Sequence, residues 1–476
     1  MQGRCFIGGS WVTTDRDFDV RDPATGEEVG RAADAGPAEA RAAVEAAAKA
    51  FPGWAGLTAT DRGTALRRVA AELLGDADRI ADLIVAEQGK PRAQALFEVR
   101  YAADWLEWYA EEARRVYGHV IPPPVPGKRL VVLRQPVGVA VAITPWNFPA
   151  AMIARKLAPA LAAGCPIVVK PAEQTPLTAV ALFECIERAD LPPGVANLVT
   201  ASDPGSVAPV LLGDERVRKI TFTGSTEVGK VLVRASADHL ARISLELGGH
   251  APFIVFDDAD LGSAVEGALA SKFQVNGQSC LCANRIYVHR AVAAEFADRL
   301  GAAVARLTVG RGSDPAVDVG PLIDGRGMEK VQRHVADAVR RGARVAVGGE
   351  RLRGAPYDRG NFFAPTVLTE CADGMLVTTE ETFGPVAPLL MFDEEEEVLE
   401  RGNDTPYGLA AYVYTRDLGR ALRAAERLEY GIVGVNDPRP ASPAAPFGGF
   451  KESGIGREGS RDGIDAFLET KLVSIV

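Results

Sequence analysis

The sequence predicts an α/β protein built on parallel sheets, and three observations carry that expectation. From residue 137 onward, short Val- and Ile-rich runs alternate with segments of helical periodicity. A second alternation of the same kind follows Gly248-Gly249. The chemically richest residues of the first alternation are Asn147, Lys170, Glu173, Gly224 and Ser225, and each stands just after a strand run. Parallel sheets bind their ligands at those carboxyl ends. A chain of 476 residues exceeds one ordinary core, so two or three domains are expected.

The bulk numbers exclude several classes. Hydrophobic residues make up 47% of the chain and charged residues 24%, the profile of a soluble globular protein. A formal charge of -10 argues against nucleic acid as a partner. The longest apolar run, 157–169, lies between Lys156 and Lys170 and is too short to span a bilayer, so no membrane partner is expected. The opening Met-Gln-Gly-Arg-Cys lacks an apolar signal core, which predicts a cytoplasmic protein. Six cysteines in a chain this long do not read as a disulfide framework. Five scattered histidines, without His-Glu-x-x-His, predict no metal site.

Taken in order, residues 1–35 read as short strands with a turn at Asp22-Pro-Ala-Thr-Gly26. Helical spacing runs over 37–51 and again over 58–116, broken near Gly75 and at Gly89-Lys90-Pro91. Trp105, Trp108 and Tyr109, at i, i+3 and i+4, read as helix packing. Ile121-Pro-Pro-Pro-Val-Pro126 must be extended, and 129–134 reads as a strand leaving the main body as an arm. Then come a strand over 137–144, a helix over 150–163, a strand over 166–170, a helix over 176–189, and strands over 197–200 and 218–223. The second alternation places a helix over 260–274, a cysteine loop, a strand over 285–289 and a helix-strand pair over 325–347. Asp393-Glu-Glu-Glu-Glu397 starts a helix, where carboxylates suit the dipole. A glycine-rich tail over 447–459 leads to a closing strand over 472–476.

The stretch Val275-Asn-Gly-Gln-Ser-Cys280-Leu-Cys-Ala-Asn-Arg285 is the centre of the chemistry. Gly277 lets backbone or ligand come close, and polar neighbours with the cation Arg285 suit a reactive thiolate. The plainer reading makes Cys280 and Cys282 small core hydrophobes. Gly224-Ser-Thr-Glu-Val-Gly229-Lys230-Val231 fails as a P-loop because Val231 has no hydroxyl for Mg²⁺, leaving a P-loop-like NTPase as a remote alternative. A glycine turn into a helix N-terminus can still hold a pyrophosphate. Gly454-Ile-Gly456-Arg-Glu-Gly459 spells a dinucleotide fingerprint but follows a loop, and is set aside. Lys170 and Glu173 read either as ribose ligands or as a surface ion pair. Glu246-Leu-Gly-Gly249 puts an acid before a close-approach loop.

Seven motifs together are similar to the aldehyde dehydrogenase superfamily, closest to its NAD(P)-dependent succinate-semialdehyde branch. They are Pro145-Trp-Asn-Phe-Pro149, Lys170-Pro-Ala-Glu173, Phe222-Thr-Gly-Ser-Thr226, Glu246-Leu-Gly-Gly249, Asn276-Gly-Gln-Ser-Cys280, Glu381-Thr-Phe-Gly-Pro385 and Pro446-Phe-Gly-Gly449. The resemblance implies aldehyde oxidation to a carboxylic acid through a cysteine thiohemiacetal and thioester. Cys280 would be the nucleophile, Asn147 and the Cys280 N–H the oxyanion donors, and Glu246 the base for thioester hydrolysis. A cofactor would be held by Thr144, Pro145, Trp146, Lys170, Glu173, Phe222, Thr223, Gly224, Ser225, Val228, Leu247, Glu381 and Phe383. Glu173 would favour NAD, through the ribose 2′-OH, over NADP. A binding protein on a dead scaffold would lack Cys280, Glu246 or Asn147, and all three are present.

The same resemblance implies a Rossmann-type NAD domain over 1–117 and 137–245, an oligomerisation arm over 118–136, and an α/β catalytic domain over 246–448. A tail over 449–476 would complete the first and the arm, and the protein would be a homodimer or homotetramer. The substrate would be a small anionic semialdehyde such as succinate semialdehyde, met by Arg155, Gln274, Ser442 and Phe447. A hydroxy-aldehyde (lactaldehyde or glycolaldehyde) and a phosphonate or sulfonate aldehyde are the alternatives. Cys282 would be a redox partner of Cys280. The chain departs from the branch at Gln274, where the branch carries an arginine six residues before the nucleophile. Arg439 is a candidate replacement for that charge.

Overall fold

The computed structural model describes residues 2–476. Four helices, Pro37–Ala55, Ala59–Gly75, Ala77–Gln88 and Arg92–Glu112, follow the short strands of the N-terminal segment. Their breaks fall where the sequence put them. Thr58 caps the second by accepting from the Asp61 N–H, and Gly89, at φ 91°, ends the third in the left-handed region that glycine adopts freely.

Two large sheets follow. The first has eight strands in the order Gly454–Ile455, Arg242–Glu246, Val217–Thr223, Val139–Ile143, Ile167–Lys170, Ala196–Leu198, Cys5–Ile7 and Ser10–Val12. Its five central strands are parallel and the edges antiparallel. The second has seven, ordered Arg344–Val347, Thr366–Thr369, Val386–Phe392, Ala283–His289, Ala251–Val255, Ala410–Tyr414 and Ile432–Val435. All are parallel except the first. Central strands such as Val139–Ile143, Ile167–Lys170 and Ala251–Val255 are almost wholly apolar and buried, as strands covered by helices on both faces must be.

Several expectations need correction, and in the second half the strands Ala251–Val255, Thr366–Thr369, Val386–Phe392, Ala410–Tyr414 and Ile432–Val435 and the helices Arg290–Val304 and Leu418–Arg427 lie outside the expected elements. The helix Pro204–Gly213 was not read, because its prolines at 204 and 209 look like loop signals; Asp203 caps it. The strand Arg242–Glu246 was also missed, because Arg-Ile-Ser-Leu-Glu has only two apolar residues, unlike the Val- and Ile-rich runs around it. The closing strand is Leu468–Ile475 and begins earlier than expected, because residues 468–471 already pair with Pro136–Leu133 of the arm strand Arg129–Pro136. That arm strand also pairs with His119–Ile121, forming a separate three-stranded sheet with Val120, Leu133, Leu472 and Ile475 exposed. Among the described residues, no helix is long and apolar enough to cross a membrane.

Candidate active site

Cys280 follows three consecutive left-handed residues, Val275 (φ 50°), Asn276 (φ 59°) and Gly277 (φ 74°). A β-branched valine there is strained, so the surroundings must hold it. The Val275 N–H donates to Gln94 Oε1 at 2.9 Å. Asn276 Nδ2 donates to the Pro321 carbonyl at 2.7 Å, and its Oδ1 accepts from the Gly320 N–H. Gln278 Oε1 accepts from the Ile323 N–H at 2.9 Å. Both glycines expected to allow close approach do so: a Cβ on Gly277 would collide with the Gly384 carbonyl, and one on Gly249 with the Cys280 carbonyl.

Asn147 sits buried in the loop after the strand Val139–Ile143. Its Nδ2 donates one hydrogen to the Gln278 carbonyl at 3.0 Å, which leaves the second available. The Asn147 carbonyl accepts from the buried Lys90 Nζ at 2.6 Å. Lys90 in turn pairs with buried Glu98 at 2.5 Å, and the other Glu98 oxygen takes the Ala150 and Ala151 N–H groups at 2.8 and 3.2 Å. One corner between two helices thus braces both the Asn147 loop, through Lys90, and the Cys280 loop, through Gln94.

Two cavities meet at Cys280, and only Met152 and Cys280 line both. The first, of about 440 Å³, is lined by Pro145, Trp146, Asn147, Thr223, Gly224, Ser225, Leu247, Glu381 and Phe383 among others. Ser225 caps the helix Thr226–Ser236 at its rim, accepting from the Val228 N–H. Trp146 meets Phe383 edge to face at 5.4 Å. Thr144 and Phe222 are buried outside that lining, Val228 is exposed on its helix, and Lys170 pairs with Glu173 at 3.4 Å outside the enclosed volume. Asp324, Arg326 and Lys330 also line this cavity and were not singled out from the sequence.

The second cavity, of about 120 Å³, is walled by Phe97, Tyr101, Phe148, Tyr412 and Phe447, with Arg155, Gln274 and Arg439. Ser442 does not belong to it. The 442–445 turn carries it to a separate groove with Asp104 and Trp108. Arg155 is neither a surface residue nor a free clamp. It is buried, stacked on Trp105 (4.9 Å) and Phe447 (3.9 Å), and lies 2.9 Å from Glu458. Lys156 pairs with the other Glu458 oxygen and donates to Thr223 Oγ1 at 2.6 Å. Glu458 lies inside the glycine stretch 454–459 that reads from sequence only as a failed fingerprint.

Burial opposes the charge of Glu458, but Lys156 and Arg155 outweigh it and hold the carboxyl below its ordinary value. Glu246, at the end of its strand, lines neither cavity. Its Oε2 has no hydrogen-bond partner, and its Oε1 would lie 2.9 Å from a Cβ on Gly448. Burial first, then the charge of Glu458, pushes its pKa well above the usual range. The Cys280 thiol is raised too, to about 12, by burial, with Arg155 opposing. This corrects the reading of a thiol lowered by its neighbours. The polar side chains are spent on the 320–323 loop, and Arg285 faces away, bonding the carbonyls of His250, Arg401 and Gly402. Cys282 is buried with its thiol toward the Lys272 carbonyl, and both cysteines are free.

The same arrangement of motifs and sheets is found in known proteins. Residues 11–473 match the model of the aldehyde dehydrogenase family. The chain is 52% identical over 474 residues to a glutarate-semialdehyde dehydrogenase of Pseudomonas putida, covering 99% of this chain and 97% of the relative. It is 51% identical, with the same coverage, to the NADP(+) succinate-semialdehyde dehydrogenase of Escherichia coli. The crystal structure of an aldehyde dehydrogenase from Brucella melitensis biovar abortus superposes with a TM-score of 0.97 at 51% identity, covering 99% and 97% of the two chains. The chain belongs to the aldehyde dehydrogenase family and is an NAD(P)-dependent aldehyde-oxidising enzyme.

Proposed function

We propose that this enzyme oxidises a small aldehyde bearing a terminal anion, succinate semialdehyde or glutarate semialdehyde, to the corresponding acid. The observation that carries this reading is the position of Cys280 between a large cavity and a smaller, aromatic one edged by two arginines. The names of the two semialdehyde relatives point the same way.

In the reading we propose, the Cys280 sulfur adds to the aldehyde carbon and forms a thiohemiacetal. The free Asn147 amide hydrogen and the Cys280 N–H, which donates to nothing among the described hydrogen bonds, stabilise the oxygen anion. Arg155 favours the thiolate against the cost of burial. Glu246 takes a proton from the water that hydrolyses the thioester, a task its raised pKa suits.

The lining of the larger cavity fits the nicotinamide and phosphate side of a dinucleotide, with Lys170 and Glu173 beyond it for the adenosine ribose. A helix N-terminus starts at its rim and would hold a phosphate, and Glu381, whose Oε1 accepts from the Gly249 N–H at 3.0 Å, would accept from a ribose hydroxyl with its other oxygen. When bound, the nicotinamide accepts the hydride. Glu173 beside Lys170 supports NAD as the better cofactor, while the name of the Escherichia coli relative supports NADP. The apolar strip of the arm supports a homodimer or homotetramer, measurable by light scattering. The two large sheets support a nucleotide domain over 1–117 and 137–245 and a catalytic domain over 246–448.

The test is formation of reduced nicotinamide from NAD and from NADP with semialdehydes, hydroxy-aldehydes and uncharged aldehydes. The reading requires the highest kcat/KM with an anionic aldehyde. A best substrate without charge would contradict it.

A further inference from the structure

We propose that Arg439 is the specificity-determining cation of the substrate cavity. The inference rests on the anionic substrate proposed above and names the residue that selects it. Of the two arginines in the lining, Arg155 is already held: Glu458 lies 2.9 Å from its guanidinium and the Trp105 and Phe447 rings sandwich it. An anion meeting Arg155 therefore competes with a carboxylate that the protein itself provides. Glu98, the other ionisable group in the lining besides the tyrosines and Cys280, is spent on Lys90.

Arg439 is different. It lines the same cavity, is exposed, and makes no ion pair among the described residues. Its backbone is fixed on both sides. Pro438 and Pro440 restrict the chain, and the Arg439 N–H donates to Asp437 Oδ1 at 2.8 Å. A rigid Pro-Arg-Pro loop thus presents a guanidinium whose five donors are open to a carboxylate, sulfonate or phosphonate. The rest of the lining is mostly aromatic or uncharged, and its one acidic side chain, Glu98, is held by Lys90.

The experiment compares kcat and KM of wild type, Arg439→Ala and Arg439→Lys with succinate semialdehyde, glutarate semialdehyde and uncharged butanal. For the anionic aldehydes, Arg439→Ala is expected to raise KM at least about tenfold with kcat within about twofold. The anionic-to-neutral ratio of kcat/KM falls accordingly, and Arg439→Lys recovers part of it. If wild type prefers the anionic aldehydes and Arg439→Ala leaves that ratio unchanged, the inference is overturned and the substrate class survives. If wild type prefers butanal, both are overturned. Arg439 is on the surface, so folding of the variants is not at issue, and melting temperatures near that of wild type confirm it.

Discussion

The cavity on one side of Cys280 is bounded by turns that close two parallel sheets and by charged tips, Asp324, Arg326, Lys330 and Glu381. The cavity on the other side is bounded by rings from a long helix and a late loop, Phe97, Tyr101 and Phe447 among them, with charge only at its arginines and a committed Glu98. The first is made of backbone ends, which suit a large ligand with many polar groups. The second is made of side chains, so its selectivity resides in individual substitutions. Cys280 belongs to both, so in the proposed reading the thiol meets a substrate from one side and a cofactor from the other.

Removing the shared residue has the largest expected effect. Cys280→Ala should lower turnover at least about a thousandfold while leaving cofactor binding, followed by fluorescence titration, intact. Retained turnover would break the comparison at its junction. Glu246→Gln should slow turnover by about a hundredfold or more, with an initial burst of reduced nicotinamide that wild type lacks. A loss without a burst would mean that Glu246 acts before hydride transfer. Asn147→Ala is expected to cost about a hundredfold in kcat with a smaller change in KM.

Smaller effects test the bracing between the two cavities. Gln94 is only part-buried, yet it holds the strained Val275 N–H. Gln94→Leu leaves that donor unpaired and should lower kcat severalfold with little change in melting temperature. Equal kcat would show that the 320–323 loop alone suffices. The Cys280 thiol, raised to about 12 by burial, is protonated in the resting enzyme at neutral pH. Its thiolate fraction therefore grows as pH rises, and iodoacetamide alkylation should accelerate throughout about pH 7 to 10. A plateau near neutrality would contradict the raised pKa.

Much of this was legible in the sequence, and what was not has a common cause. Asn147, Thr223 and Ser225 lie in motifs at the ends of strands, and Cys280 and Glu381 in contiguous motifs of the loops before strands, so local pattern locates them. Gly277 and Gly249 could be read because close approach leaves only glycine. Lys90 was visible only as part of a helix break, although a charge between Gly89 and Pro91 is the one signal that could have marked it. Its role comes from Asn147, 57 residues away. Glu458 was hidden for the same reason, since its partner Lys156 lies 302 residues before it. Ser442 was misplaced because the direction of a proline-rich loop cannot be read from its composition. The Arg285 reading failed because proximity in sequence says nothing about which side of a strand a residue faces.

The most direct test is mass spectrometry of Glu246→Gln enzyme quenched during turnover of succinate semialdehyde with nicotinamide cofactor. The account predicts an acyl adduct on the peptide carrying Cys280, formed in step with reduced nicotinamide. Reduced nicotinamide without an adduct on Cys280, or an adduct on another residue, would contradict it.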